Sequence, residues 1–523
     1  VRARLLLVAA LLGVPALVLA LVLGTGGSAG RGGPGPDRAA PAGEGRLTRT
    51  NGPPPSVAQE NRARGSTGWR LSASPPAAGR VEGYVSEQNV RPGERETIYV
   101  NAPGARRVRV ALYRMGFYGG RGGRLVLQSS PLPAASQPPC AHRAQTGLTE
   151  CRWRPSFTLR IPSAWASGVY VAKLSTDRGA QRECLFVLEA AHPAPLVAQI
   201  STATYEAYND WGGSSLYPSA LPVGATGTRQ GVEVSYDRPY DTSTGAGQFF
   251  TRDVALVRYL ERGGYPVSYT TNTAADLRGA ELSKARALLD VGHSEYWSDA
   301  GRRAFTRARD GGTSLVFLSS DTLAWRVRFA RASPSSSEAG RPDHRMVGYK
   351  EHAALDPVRS APSGPFPGLG AALTGSAYRD CITARLRRGP GPPIYAYSAW
   401  SPAPSLRPAW LFRGTGFTPG ATVPGIVGYE LDEASAAAPP GLATVGGGSA
   451  PCQTGRVGRA ISTLYRAPSG ALVFSSGTLG WQLALSPVPQ TSPDAPRAAD
   501  PRLVRMTDNL LRRALRPTRR GGQ

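Results

Sequence analysis

From about residue 195 onward, short apolar runs alternate with amphipathic ones, and this alternation limits the fold more than any other feature of the chain. LVAQIS reads as a buried strand, residues 252–262 as a helix that stops at Gly263-Gly264, and residues 267–271 as a strand. Residues 284–291 lead into a further strand (ALLDVG). Residues 298–309 form a helix with Ser298 or Asp299 as N-cap and Gly311-Gly312 as its stop. SLVFLS, GIVGY and ALVFS are later strands, and residues 500–515 a final helix. Strand–helix–strand units predict an α/β domain with a parallel sheet covered on both faces, interrupted by irregular segments at 354–418 and 434–458.

Residues 79–190 have another rhythm. β-like runs at 96–100, 107–113, 124–128, 157–161, 168–174 and 183–188 recur between turn signals, the pattern of an antiparallel β-sandwich. The glycines at 116, 119, 120, 122 and 123 mimic a phosphate loop, but RLVLQSS follows them where a helix is required, so a hairpin turn is expected. Residues 26–78 are rich in Gly, Pro, Ser and Arg without periodicity and read as a disordered linker. Before them, the charge-free run 5–23 behind Arg2 and Arg4 is long enough for a bilayer core at about 1.5 Å per residue. Residues 1–25 are therefore expected to be a signal peptide or membrane anchor. The chain is expected to be exported, secreted or held at the cell surface.

The five cysteines fit an oxidising compartment. Cys140 with Cys151, and Cys381 with Cys452, are the expected pairs, leaving Cys184 buried in a strand. The formal charge of +25 does not imply nucleic-acid binding. The excess comes from scattered arginines, dense only near the C-terminus and its basic tail 516–523, and no nucleic-acid motif accompanies them.

Ligands in open α/β sheets bind beyond the carboxyl ends of the strands. There this chain carries TYEAYNDWGGSSLY after LVAQIS, HSEYW after ALLDVG, SDTLAW after SLVFLS, Glu430 after GIVGY, and SGTLGW after ALVFS. His293 and Glu295, two apart in an extended segment, share a face and suit metal binding or acid–base work. Tyr205, Tyr208, Tyr236 and Tyr240 add phenols, whose anions are hard ligands suited to ferric iron. An alternative use of the aromatics Trp211, Trp297 and Trp325 is as platforms on a non-catalytic, glycan- or polymer-binding surface protein.

TYEAYNDWGGSSLY, VSYDRPY, ERGGYPVSY, VGHSEYWS, SLVFLSSDTLAWRVRF and SGTLGW, in this order, resemble the catalytic domain of the N,N-dimethylformamidase large (beta) subunit over roughly residues 195–515. RMGFYGGRGGR and PSAWASGVY resemble the immunoglobulin-like domain before it. The resemblance implies a glutamine-amidotransferase-like α/β fold without the cysteine nucleophile. It also implies a mononuclear Fe(III) held by two tyrosines and a glutamate, and hydrolysis of a C–N amide bond by metal-bound water. Carried across, the glutamate is Glu295. The first tyrosine is Tyr208, with Tyr205 as alternative, and the second is Tyr240, with Tyr236 close by. His293 becomes an acid/base, Glu430 a further carboxylate near the site, and Asp321 stands where the family has asparagine. The implied partner is a small amide substrate. A homo-oligomer or a small accessory subunit is compatible with it, and the membrane is met through the N-terminal segment.

Overall fold

In the computed structural model, which describes residues 45–47, 51–72, 81–242, 244–366, 368–383, 395–488 and 495–517, every strand expected between 79 and 190 is present. A seven-stranded and a three-stranded sheet carry this region. Its long strands alternate between two destinations, as a period of two requires. In Gly168–Thr176, Tyr170, Ala172 and Leu174 face the core shared with Ile98, Val100 and Phe157 of the smaller sheet. Val169 and Val171 face the opposite way, into the core of the α/β part. The large sheet is therefore buried on both faces over residues 168–172 of this strand. The glycine run is a hairpin connection, since Arg107–Met115 and Gly123–Ser129 pair antiparallel around it.

The second sheet has nine strands. Leu196–Ile200, Val267–Thr271, Ala287–His293, Ser314–Ser320 and Leu472–Ser475 run parallel. The remaining four, Val457–Arg466, Ala443–Pro451, Ser398–Pro402 and Val423–Val427, continue it antiparallel. The expectation of a parallel sheet thus holds for one half only. No helix separates Val457–Arg466 from its neighbours in sequence, so short turns join them as hairpins. Two stretches read as irregular contribute strands here. Ala443–Pro451 hid behind Gly446-Gly447-Gly448, which lie close against the Trp400 ring, the Ala460 backbone and the Ala399 backbone in turn. A Cβ on Gly446 would come within 2.1 Å of that indole.

Residues 51–72, read as part of a disordered linker, are ordered and built by polar bonds. Ser56 and Gln59 form a capping box for Val57–Glu60. The Asn61 amide oxygen accepts from the backbone of Phe117 and Tyr118, and Glu60 pairs with Arg124. Residues 1–44, and with them the apolar run 5–23, lie outside the described residues, as do 518–523 of the basic tail. Among the described residues no helix is long and apolar enough to cross a membrane. Both expected disulfides are present, and Cys184 is free and buried.

The two sheet systems are fastened at one buried ion pair. Arg114, on Arg107–Met115, donates from both terminal nitrogens to Glu261 of the helix Val254–Arg262, each at 2.8 Å. Asn61 and Tyr269 donate to the same carboxylate at 2.7 and 3.0 Å. Such a pair costs desolvation to form but leaves a stranded charge when broken. Glu261→Ala is expected to lower unfolding free energy by about 3–5 kcal/mol, read from denaturant melts.

Elsewhere in the sandwich, burial pushes the Glu183 carboxyl up to about 8, with one oxygen lacking a hydrogen-bond partner. The native state holds this proton more tightly than the unfolded chain does. Glu183 therefore takes away stability progressively from about pH 4 up to about pH 8, where the loss levels off. Glu183→Gln should raise the melting temperature at pH 8 and leave it nearly unchanged at pH 4, measured by calorimetry at both.

Candidate metal centre

Each of His293, Glu295, Asp321 and Glu430 is delivered by the end of a strand of the nine-stranded sheet or by the turn after it. Ala287–His293 ends in a sharp turn in which Gly292 has φ +70 and a Cβ would strike Asp253. The turn is tied down by Ser294 Oγ donating to Asp290 at 2.8 Å and by Glu295 N donating to Thr204 Oγ1 at 3.1 Å. Asp321 follows Ser314–Ser320 with φ +53, and its backbone N–H donates to Asp432 Oδ1 at 2.7 Å. Glu430 opens the strand Glu430–Glu433, and its carbonyl accepts from Ser320 Oγ at 2.9 Å.

These ends converge. His293 Nε2 stands 2.8 Å from Glu430 Oε2 and 3.4 Å from Glu295 Oε2. His293, Asp321 and Glu430 each offer a ligand atom, and these atoms lie within 4.8 Å of one another, all three residues buried. On its other side, His293 Nδ1 is 3.2 Å from the Tyr429 hydroxyl. Despite their closeness, His293 Nε2, Glu295 Oε2, Glu430 Oε2 and Asp321 Oδ1 are all buried without a hydrogen bond of good geometry. Buried polar atoms are normally partnered, so four orphans in one place mark a position that expects something else, and a cation suits a set of acid oxygens and one imidazole.

The tyrosines divide. Tyr208 faces the centre, with its ring centroid 5.4 Å from that of His293. Tyr240 does not. Its hydroxyl donates to Gln88 at 3.3 Å and its ring stands against Tyr205, whose hydroxyl in turn donates to Asp253. Tyr236 is buried beside Glu206 and Asp343 and lines a separate cavity of about 540 Å³ with His344. The second phenol at Glu295 is instead Tyr217. Its hydroxyl donates to Glu295 Oε1 at 2.8 Å, its ring stacks on Tyr208 at 4.3 Å, and the Tyr296 hydroxyl donates to it at 2.8 Å. The cause is local. Gly212 and Gly213, both at positive φ, reverse the chain, and Leu216 N donates to Ala207 O at 3.0 Å, so the last residue of TYEAYNDWGGSSLY returns beside Tyr208.

Lys350 also belongs here and has no sequence signature. Its ammonium is buried, 3.4 Å from the Tyr217 ring centroid and 5.0 Å from that of Trp325. Burial lowers its pKa, against the attraction of Glu295, Glu351 and Asp321. Burial, then the neighbouring carboxylates, raise Glu295 and hold Asp321 well above the usual carboxylate range. Burial disfavours the His293 imidazolium, but Glu430 and Glu295 outweigh it and raise its pKa. Tyr208 and Tyr217 are pushed well above the ordinary phenol value, by burial first and Glu295 second, so they stay neutral unless a strong Lewis acid ionises them. The supposed aromatic platforms are engaged within the fold, Trp297 fully buried and Trp211 and Trp325 half-buried. Trp297 is buried against Phe305, Trp325 donates to Glu295 at 2.8 Å, and Trp211 donates to Glu82 at 2.8 Å.

Fold and site together define a mixed α/β protein with a buried tyrosine–carboxylate–histidine centre at its strand ends. Residues 109–495 match the family described as N,N-dimethylformamidase beta subunit-like, C-terminal, and the chain belongs to that family. The match begins inside the strand Arg107–Met115, so it takes in most of the large sandwich sheet as well as the α/β part. No curated protein matches the chain. A solved structure titled "Structure of PhoD" is similar over 85% of this chain and 100% of that one, at 8% identity and a TM-score of 0.20, too low to bear on the fold.

Tyr217→Phe is expected to lower the bound metal of the purified protein severalfold, whereas Tyr240→Phe should leave it unchanged, both read by elemental analysis alongside a thermal melt.

Proposed function

We propose that this chain is a metal-dependent hydrolase of C–N amide bonds. The single observation that carries the proposal is the gathering of buried ligand atoms on His293, Asp321 and Glu430 within 4.8 Å of one another, with Glu295 Oε2 3.4 Å from His293 Nε2, none of them in a hydrogen bond of good geometry. The family to which the chain belongs supports the same reading. With it go a glutamine-amidotransferase-like arrangement of the α/β part and an immunoglobulin-like arrangement of the sandwich.

Tyr208, Tyr217 and Glu295 are the residues we assign to holding a ferric ion, the anionic oxygen set that suits a hard cation. When bound, such an ion supplies Lewis-acid polarisation of the amide carbonyl. The chain's own groups do the proton work. His293, braced by Tyr429 at Nδ1 and facing Glu430 at Nε2, is placed to take a proton from the attacking water and return it to the departing amine. Glu430 shares that proton, since its carboxylate is the nearest acceptor to Nε2. Burial, then Glu295 and Glu430, raise the Asp321 carboxyl well above its ordinary value, which favours its protonated, hydrogen-bond-donating form. Lys350 places its amino group beside the carboxylates, whose attraction favours the charged form while burial disfavours it.

The His293, Asp321 and Glu430 set is a second way to hold the ion, favoured by the mutual closeness of their ligand atoms. Two variants separate the assignments. Glu295→Ala is expected to lose metal and amide hydrolysis together. His293→Ala should keep metal and lose turnover by about two to four orders of magnitude. Full metal retention in Glu295→Ala with loss in His293→Ala would move the ion to the second set.

A further inference from the structure

The strands Ser314–Ser320 and Leu472–Ser475 run side by side, with the centre described above beyond their carboxyl ends. At their amino ends lies a cavity of about 360 Å³ lined by Ser314, Arg466, Gly470, Leu472, Arg513 and Arg516, among others, and no carboxylate of the described residues lines it. Two of its arginines are held in place. Arg466 Nη1 donates to the carbonyl of Gly470 at 2.7 Å, and the Arg513 guanidinium lies 5.6 Å from the Trp410 ring centroid. Arg516 follows Arg513 at the i,i+3 spacing, just past the end of the helix Pro501–Ala514. Ser314 Oγ accepts from Leu472 N at 3.3 Å, which leaves its hydroxyl hydrogen free to donate toward the cavity.

Three guanidinium groups around one recess repel one another, and among the described residues no lining acid relieves them. Guanidinium forks match tetrahedral oxyanions in shape as well as charge. We propose that this recess binds a phosphate group, either free phosphate or the phosphate of an anionic lipid headgroup. A seven-residue strand at about 3.3 Å per residue separates the recess from the metal centre by roughly 20 Å, so an occupant here leaves the centre open. The site is independent of the hydrolase reading.

The test uses the full chain, titrated with inorganic phosphate by calorimetry and mixed with phosphatidylcholine vesicles with and without phosphatidylglycerol. The variant Arg466→Gln/Arg513→Gln/Arg516→Gln is compared with Arg109→Gln/Arg178→Gln/Arg229→Gln, which removes the same charge from elsewhere. Binding should weaken at least about tenfold in the first variant and stay within about twofold of the parent in the second. Calorimetric phosphate binding without preference for phosphatidylglycerol identifies the free anion as ligand. Retention on phosphatidylglycerol vesicles that is lost in the first variant identifies the headgroup. Equal weakening in both variants, or no binding of either probe by the parent, would overturn the proposal.

Discussion

A buried carboxylate must find a hydrogen-bond donor, a proton or a positive charge, and this protein places three of them within reach of one histidine. Glu295, Asp321 and Glu430 come from different strand ends, so their meeting is a property of the sheet and not of any local sequence. Lys350, wedged between aromatic rings, answers part of the negative charge. It does not answer the geometry, because the orphaned oxygens and His293 Nε2 still point at one another without a bond. The rest of the architecture keeps that arrangement in place. Gly292 allows the tight turn, Asp290 anchors it, and Asp432 pins the backbone of Asp321.

The sandwich is part of that support. Its large sheet buries alternate residues in two cores, and Arg114 reaches through to the helix that packs beneath the central sheet. A β-sandwich with one solvated face could swing on a linker. One with both faces buried along its central strand cannot move without exposing Val169, Val171, Leu185 and Val187.

The strands and long helices were legible in the sequence because burial writes its period directly into the residues: two for Arg107–Met115, a largely apolar run for Ala287–His293, an N-cap at Ser298 for the helix that follows. The motif ends brought His293, Glu295, Asp321 and Glu430 to one place as expected. What stayed hidden was set by groups distant in sequence. Residues 51–72 are held by side-chain amides and carboxylates that leave no apolar rhythm. Tyr217 rather than Tyr240 lies beside Glu295, because spacing along the chain says nothing of the reversal at Gly212-Gly213, although Tyr217 closes the same motif that contains Tyr208. Lys350 could not be found at all, since a lone lysine after a loop looks like solvent-facing charge until its aromatic cage is seen.

The central claim is that this convergence exists to grip a cation. Elemental analysis of the purified full chain, with its visible spectrum, tests it most directly. Stoichiometric iron accompanied by a phenolate-to-metal absorption band is the expected result. A colourless protein that takes up no metal even when supplied with it, yet hydrolyses amides, would contradict the account.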